Sequence, residues 1–155
     1  MIVAGDHVTR GVDETAGLAR GMASLLEEGD WVILTGPLGA GKTAFVRGLA
    51  LGLGIDPARV HSPTFTLVSE YPGPRPLAHV DLYRVEDPRE ILELGLDDLR
   101  ERRIFVAVEW GERLPESLRR GVWVVGMEVV TPEERRIAIQ APDRGPTPGG
   151  GALRR

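Results

Sequence analysis

Residues 31–53 read WVILTGPLGAGKTAFVRGLALGL. Trp31 to Thr35 is a short apolar run of strand-forming residues, the pattern of a buried strand. Gly36 to Gly41 is a glycine-rich turn. From Lys42 to Leu53 the apolar residues recur at helical spacing, and Gly52 and Gly54 end the helix. Strand, loop and helix make the first half of a βαβ unit. Within it GPLGAGKT, Gly36 to Thr43, matches G-x-x-x-x-G-K-[ST] at every position. Gly36, Gly39 and Gly41 allow the backbone to curl so that successive N–H groups face phosphate oxygens. The candidate cradle is therefore Gly36, Pro37, Leu38, Gly39, Ala40, Gly41, Lys42 and Thr43. Lys42 brings a compact positive charge to the β and γ phosphates, Thr43 a hydroxyl to Mg²⁺, and the helix its positive end to the anion. A glycine-rich turn can match this pattern by chance. The strand before it and the helix after it supply the context that a phosphate-binding loop requires.

Working outward, Asp13 to Glu28 places Ala16, Ala19, Met22 and Leu26 on one helical face, with Asp13 and Glu14 at its positive end. Downstream, His61 to Tyr71 begins as a loop and continues as a strand, and Pro72 to Pro76 forms a turn. Leu77 to Arg84 is a further strand. Asp87 caps a short helix reaching Leu94, with Pro88 at the first helical position. Ile104 to Trp110 is the most apolar strand after the first. Leu114 to Arg120 suits one helical turn. Gly121 to Val130 and Arg135 to Ala141 alternate and pair as an antiparallel hairpin across TPEE. The expected fold is α/β: a mostly parallel sheet of P-loop NTPase type, flanked by helices, with an antiparallel C-terminal hairpin. Residues 1–141 are expected to form one domain, and residues 142–155 (PDRGPTPGGGALRR) a flexible tail.

The chain of 155 residues suits one domain better than two cores. It has no cysteine, which excludes a disulfide scaffold, thiolate metal sites and cysteine catalysis. MIVAGDHVTRG has no basic region followed by an apolar run, so a secretory signal is not expected. No stretch approaches the roughly 18 apolar residues of a membrane span. These features point to a cytoplasmic protein. The net charge is -4, and the tail carries +2 of it, which leaves -6 on the body. An acidic body argues against tight binding to a nucleic-acid backbone by this chain alone. Of 19 lysines and arginines only Lys42 is lysine, and there is no asparagine. A lysine that survives such a bias has a task that arginine does not fill.

A phosphate-binding loop needs a metal-side carboxylate at the end of a neighbouring strand. Asp81 and Glu109 both follow apolar runs and so fall at the carboxyl edge of the sheet, where ligands bind. One is expected to hold Mg²⁺ and the other to orient the attacking water; the sequence does not assign which. A strand-end carboxylate is often only solvated, but two idle ones are not expected beside such a loop. His61-Ser62-Pro63-Thr64 occupies the place of a γ-phosphate-sensing loop, with Ser62 and Thr64 as hydroxyls; an ordinary turn explains it equally well. His79 suits a tuning role or a plain strand position. Trp110 suits a nucleotide cover, a partner face or the core. His7 and His61 have no metal-ligand neighbours at useful spacing. The Asn-Lys-x-Asp guanine reader is impossible here, so an adenine nucleotide is favoured. A compact ATPase acting on a partner or a small kinase remains, with a nucleotide-dependent binding module as a third class.

The ordered set of LTGPLGAGKT, SPTFTLVSEY (Ser62 to Tyr71), HVDLYR (His79 to Arg84), ELGLDD (Glu93 to Asp98) and VEW (Val108 to Trp110) resembles the bacterial TsaE (YjeE) family. The resemblance runs from about Asp13 to Ile139. Pro37 and Ala44 depart from the family's usual Asp or Asn and second Thr, without removing a phosphate or metal ligand. The resemblance implies the ATPase component of tRNA threonylcarbamoyladenosine synthesis, with ATP and Mg²⁺ as cofactors. By that likeness Lys42 and the loop amides bind phosphates, Thr43 and Glu109 hold the metal, and Asp81 acts through water as the Walker B carboxylate. The base would lie between the segment near Asp13 and the hairpin near Glu134 and Arg135. The partners implied are TsaD and TsaB, with tRNA met through their complex and no membrane. The alternative is a small P-loop kinase.

Overall fold

The computed structural model describes residues 4–63 and 65–144. Seven strands form one sheet: β1 (Gly5–Arg10), β2 (Trp31–Thr35), β3 (Val68–Tyr71), β4 (Leu77–Asp81), β5 (Phe105–Glu109), β6 (Trp123–Val129) and β7 (Glu134–Gln140). Among the described residues four α-helices accompany them: α1 (Val12–Ala23), α2 (Lys42–Gly52), α3 (Pro88–Leu92) and α4 (Leu96–Glu101). The strand order is β1-β7-β6-β2-β5-β4-β3. The central strands β6, β2, β5 and β4 run parallel. Antiparallel partners flank them on both sides, the expected β6-β7 hairpin extended by β1 on one side and β3 on the other.

The parallel centre follows from composition. The side chains of β4 and β5 are buried throughout, as are the first four of β2, so continuous apolar runs suit strands covered on both faces. One core lies between the sheet and α1 and α2, around Met22, Leu34, Phe45, Leu49 and Ile137. The second lies on the opposite face beneath α3 and α4, around Ile33, Val80, Leu82, Ile91 and Val108. Among the described residues no helix is long and apolar enough to cross a membrane.

Several boundaries differ from the sequence expectation for local reasons. The first helix stops at Ala23, because Ser24 Oγ bonds back to Gly21 O at 2.8 Å and Asp30 Oδ2 accepts from Glu27 N at 2.8 Å to shape the turn into β2. β4 stops at Asp81, whose Oδ1 accepts from Tyr83 N at 2.9 Å and turns the chain. β1 has no apolar signal; only Thr9 is buried along it, and its place comes from the ladder to β7. The short α4 rests on two buried leucines, Leu96 and Leu99. At the C-terminal end, contacts continue past Ala141: Arg144 Nη2 donates to Asp30 Oδ2 at 2.8 Å. The rest of the expected tail, residues 145–155, lies outside the described residues.

Candidate active site

β2 ends at Thr35 and the chain enters the loop through Gly36, which has φ 140°. A Cβ at Gly36 would stand 2.5 Å from Met127 O, so no other residue fits without moving β6. Gly41 caps α2 in the left-handed region, and Lys42 and Thr43 are the first two helical residues. The positive end of α2 thus faces the mouth of the loop. Lys42 is only 4% exposed. Its Nζ donates to Gly36 O at 2.7 Å and Pro37 O at 2.8 Å, and lies 4.1 Å from the centre of the Trp110 ring. Burial pushes its pKa below the ordinary lysine value, and Glu109, Glu112 and Asp81 partly offset this.

β4 and β5 place Asp81 directly opposite Glu109, and both are buried. Glu109 Oε2 accepts from Thr43 Oγ1 at 2.9 Å and meets His79 Nε2 at 2.6 Å. His79 is fully buried and its Nδ1 has no hydrogen-bond partner, so the ring's bonding is committed to Glu109. This decides its role: it holds the carboxylate rather than merely filling the strand. Asp81 Oδ2 accepts from Ser62 Oγ, while Oδ1 accepts from Tyr83 N. Trp110, at φ 60°, sits in a region that bulky residues rarely adopt, a strain of about 1–3 kcal/mol held by its surroundings.

Lys42, Thr43, Ser62, Asp81, Glu109 and Trp110 therefore converge on one cleft of about 400 Å³, with exposed Leu38 at its lip. On the other side of the loop is a smaller cavity of about 130 Å³. Its walls are Gly11, Val12, Thr15, the loop residues Gly39 to Gly41, Ala44, Pro132, Glu133 and Arg135. Arg135 braces this wall by donating to Gly39 O and Ala40 O, each at 3.2 Å. Asp13 and Glu134 stand beside this cavity rather than in its lining: Asp13 is exposed on the first turn of α1, and Glu134 pairs with Arg10 at 3.8 Å. Ser62 joins the cleft, Thr64 lies outside the described residues, and Phe65 is 81% exposed beneath the Arg84 guanidinium. His7 lies on β1 and His61 is an exposed loop residue, both away from the cleft lining.

Among the described residues no group of three or more His, Cys, Asp and Glu side chains forms a metal cage. The donor set still fits Mg²⁺, which takes one or two carboxylates, a hydroxyl and phosphate oxygens and keeps several waters. Thr43 and Glu109 already touch, and Asp81 is the next carboxylate along the sheet edge.

Residues 9–137 match the family described as "Threonylcarbamoyl adenosine biosynthesis protein TsaE". The chain belongs to the TsaE family. A TsaE-family relative from Treponema pallidum, named tRNA threonylcarbamoyladenosine biosynthesis protein TsaE, is 38% identical over 132 residues, covering 85% of this chain and 97% of its own. The protein of that name from Bacillus subtilis is 40% identical over 130 residues, covering 83% and 80%. The crystal structure of Bacillus subtilis YdiB superposes with a TM-score of 0.69 at 32% identity, over 91% of this chain and 87% of that one. The P-loop NTPase-like fold read from GPLGAGKT is thus the fold of a TsaE-family member. Tyr83 and Arg113, which surround Trp110, were not singled out from sequence. Tyr83 lies inside HVDLYR, so the TsaE resemblance carried a signal for it; Arg113 lies just past VEW and carried none.

Proposed function

We propose that this chain is the ATP-binding and ATP-hydrolysing subunit of tRNA threonylcarbamoyladenosine synthesis, acting in the cytoplasm with TsaD and TsaB. The observation that carries the hydrolytic part is the meeting of Thr43, Glu109, Asp81 and Lys42 in one cleft beneath the phosphate-binding loop. Membership of the TsaE family supports the place in tRNA modification. The absence of asparagine, and of any lysine besides Lys42, favours adenine over guanine nucleotides.

In this reading the loop amides and Lys42 hold the phosphates. Thr43 Oγ and Glu109 supply oxygens to Mg²⁺, which neutralises charge on the phosphate oxygens when bound. His79 fixes the Glu109 carboxylate and Ser62 fixes that of Asp81. Asp81 is then positioned to accept hydrogen bonds from water beside the terminal phosphate. The base occupies the side of the loop braced by Arg135, between the start of α1 and the β6-β7 turn, with Asp13 and Glu134 at its edge. Tyr83, Trp110 and Leu38 give the cleft an aromatic and apolar rim that a partner could close. The competing small-kinase reading needs an acceptor-binding lid. The two helices after β4 have only five and six residues, which leaves little chain to build one.

Phosphate release from Mg-ATP, measured with and without TsaD and TsaB from the same source, tests this reading. Turnover is expected to change at least about tenfold with the partners, and Lys42→Ala should abolish it, because the phosphates lose their only lysine. Wild-type turnover in Lys42→Ala would remove the loop from the chemistry. No response to the partners, together with no binding to them, would remove the subunit role. Phosphate transfer to a small acceptor instead of water would favour the kinase.

A further inference from the structure

We propose that Arg113 is a positioning residue: its guanidinium ties the loop after Asp81 to the loop after Glu109 and so holds Trp110 against Lys42. The proposal rests on the reading of this cleft as the nucleotide site. Asp81 and Glu109 face each other as the last rung of the β4-β5 ladder. Beyond them the chain leaves the sheet in two loops, and strand pairing no longer fixes how the loops sit. One bond, Leu82 N to Glu109 O at 3.2 Å, continues past the rung.

Arg113 supplies the remaining bridge. Its Nη1 donates to Leu82 O at 3.0 Å, to Val85 O at 3.1 Å, and to Tyr83 O between them. Among the described residues no carboxylate pairs with it, so its polar contacts go to the neighbouring loop rather than to an ion pair. The guanidinium carbon lies 5.4 Å from the centre of the Trp110 ring and 6.0 Å from that of Tyr83. Those two rings pack 5.1 Å apart, and Trp110 in turn meets Lys42 Nζ. The anchor below is rigid. A Cβ at Gly111 would stand 2.5 Å from the Ile33 side chain, so the backbone after Trp110 is pressed onto β2. Arg113 N closes that turn on Trp110 O at 3.0 Å.

Arginine suits this task because one terminal nitrogen shares its two N–H groups among three carbonyls while the cation stays within reach of two aromatic rings. Without it, the three carbonyls turn to water and Trp110 loses a support for its left-handed backbone. The P-loop, Asp81 and Glu109 stay on their own elements. Phosphate binding should therefore survive while the alignment needed for turnover is lost.

Lys42 is the only lysine, so acylation by an amine-reactive ester, mapped by mass spectrometry, reads how well Trp110 covers it. In the full chain, Arg113→Ala is expected to raise Lys42 labelling without nucleotide about fivefold or more, and to lower kcat about tenfold while KM for ATP stays within about threefold. Arg113→Lys, which keeps a cation with several donors, should recover part of both. A folded Arg113→Ala with unchanged labelling and unchanged kcat would overturn the proposal. So would a loss of kcat that only tracks the loss of folded protein. Should Arg113→Ala fail to fold, Arg113→Gln is judged on the same two readouts. If the wild-type chain releases no phosphate under any condition, the hydrolysis reading fails, and the labelling still decides whether Arg113 holds Trp110 in place.

Discussion

Two buried carboxylates sit at opposite ends of the same central strands, and they are satisfied in different ways. Asp30 precedes the amino end of β2. Its Oδ2 accepts from Glu27 N, Trp123 Nε1 and Arg144 Nη2 at 2.8–3.0 Å. Glu109 ends β5 at the carboxyl edge. Its Oε2 is met by a hydroxyl and an imidazole, and among the described residues no arginine bonds it or Asp81. The nearby cation, Lys42, directs its own bonds to loop carbonyls. A carboxylate met by a guanidinium has its charge balanced within the fold. Glu109 and Asp81 are instead held by hydroxyl, imidazole and backbone groups, which fix their geometry without a guanidinium. The buried acid at the amino end of the sheet is bonded by an arginine, and the two at the carboxyl end are held without one.

The sharpest way to break this contrast is the same isosteric change at both ends. Glu109→Gln and Asp81→Asn keep shape, replace one acceptor oxygen with an amide donor and remove the charge. Turnover of Mg-ATP should fall about 10²-fold or more in each, as for other lost charge positioning, while the melting temperature stays within roughly 5 °C. Steady-state phosphate release beside a thermal melt measures both. Near-normal rates in both variants would take these carboxylates out of the chemistry.

Asp30→Asn should do the reverse. Removing the charge weakens its bonds to Trp123 and Arg144 in a site where Asp30 is 6% exposed, at a cost of about 1–3 kcal/mol. That corresponds to a melting temperature lower by roughly 3–10 °C in a domain of this size, with turnover at 25 °C unchanged within about twofold. A loss of turnover with no loss of stability would mean that the two ends are coupled rather than divided by role.

How far these features were legible follows the same division. The strand, loop and helix from Trp31 onward could be read because the motif is local and each position has its own physical demand. Asp81 and Glu109 are legible as sheet-edge carboxylates because each ends an apolar run, and parallel strands bring such ends to one edge. Their register against each other is a matter of pairing, which no local pattern encodes. His79 stayed ambiguous because one histidine on a strand looks alike whether it packs or holds a carboxylate; the bond to Glu109 spans 30 positions. β1 carries no sequence signature, because an edge strand with one buried residue has no apolar alternation. Near the expected base site, Val12, Glu133 and Arg135 line the smaller cavity while Asp13 and Glu134 stand beside it, since a turn sets which neighbour faces inward. Asp30 was invisible for a similar reason: its partners Trp123 and Arg144 lie 93 and 114 positions away.

The smallest expected effect concerns Arg144, which composition assigned to a flexible segment. Its guanidinium pKa is raised above the ordinary value chiefly by the hydrogen bond to Asp30, so the contact is an electrostatic one. The side chain is nevertheless 36% exposed, against 5% for that of Asp30. Solvent screens the arginine's half of the pair, and water can replace part of what it donates. Ending the chain after Asp143 should therefore cost about 1 kcal/mol or less, a shift of roughly 2–4 °C. Most of the loss should disappear in the Asp30→Asn background, where Arg144 keeps only its 3.8 Å pair with the exposed Glu27, so thermal melts of the two single variants and the double variant form a closed cycle. A truncation that costs as much in Asp30→Asn as in the wild type would show that residues after Asp143 stabilise the fold by another route. Asp30 would then rely on Trp123 and Glu27 N alone, and the balanced acid at the amino end of the sheet would lose its defining partner.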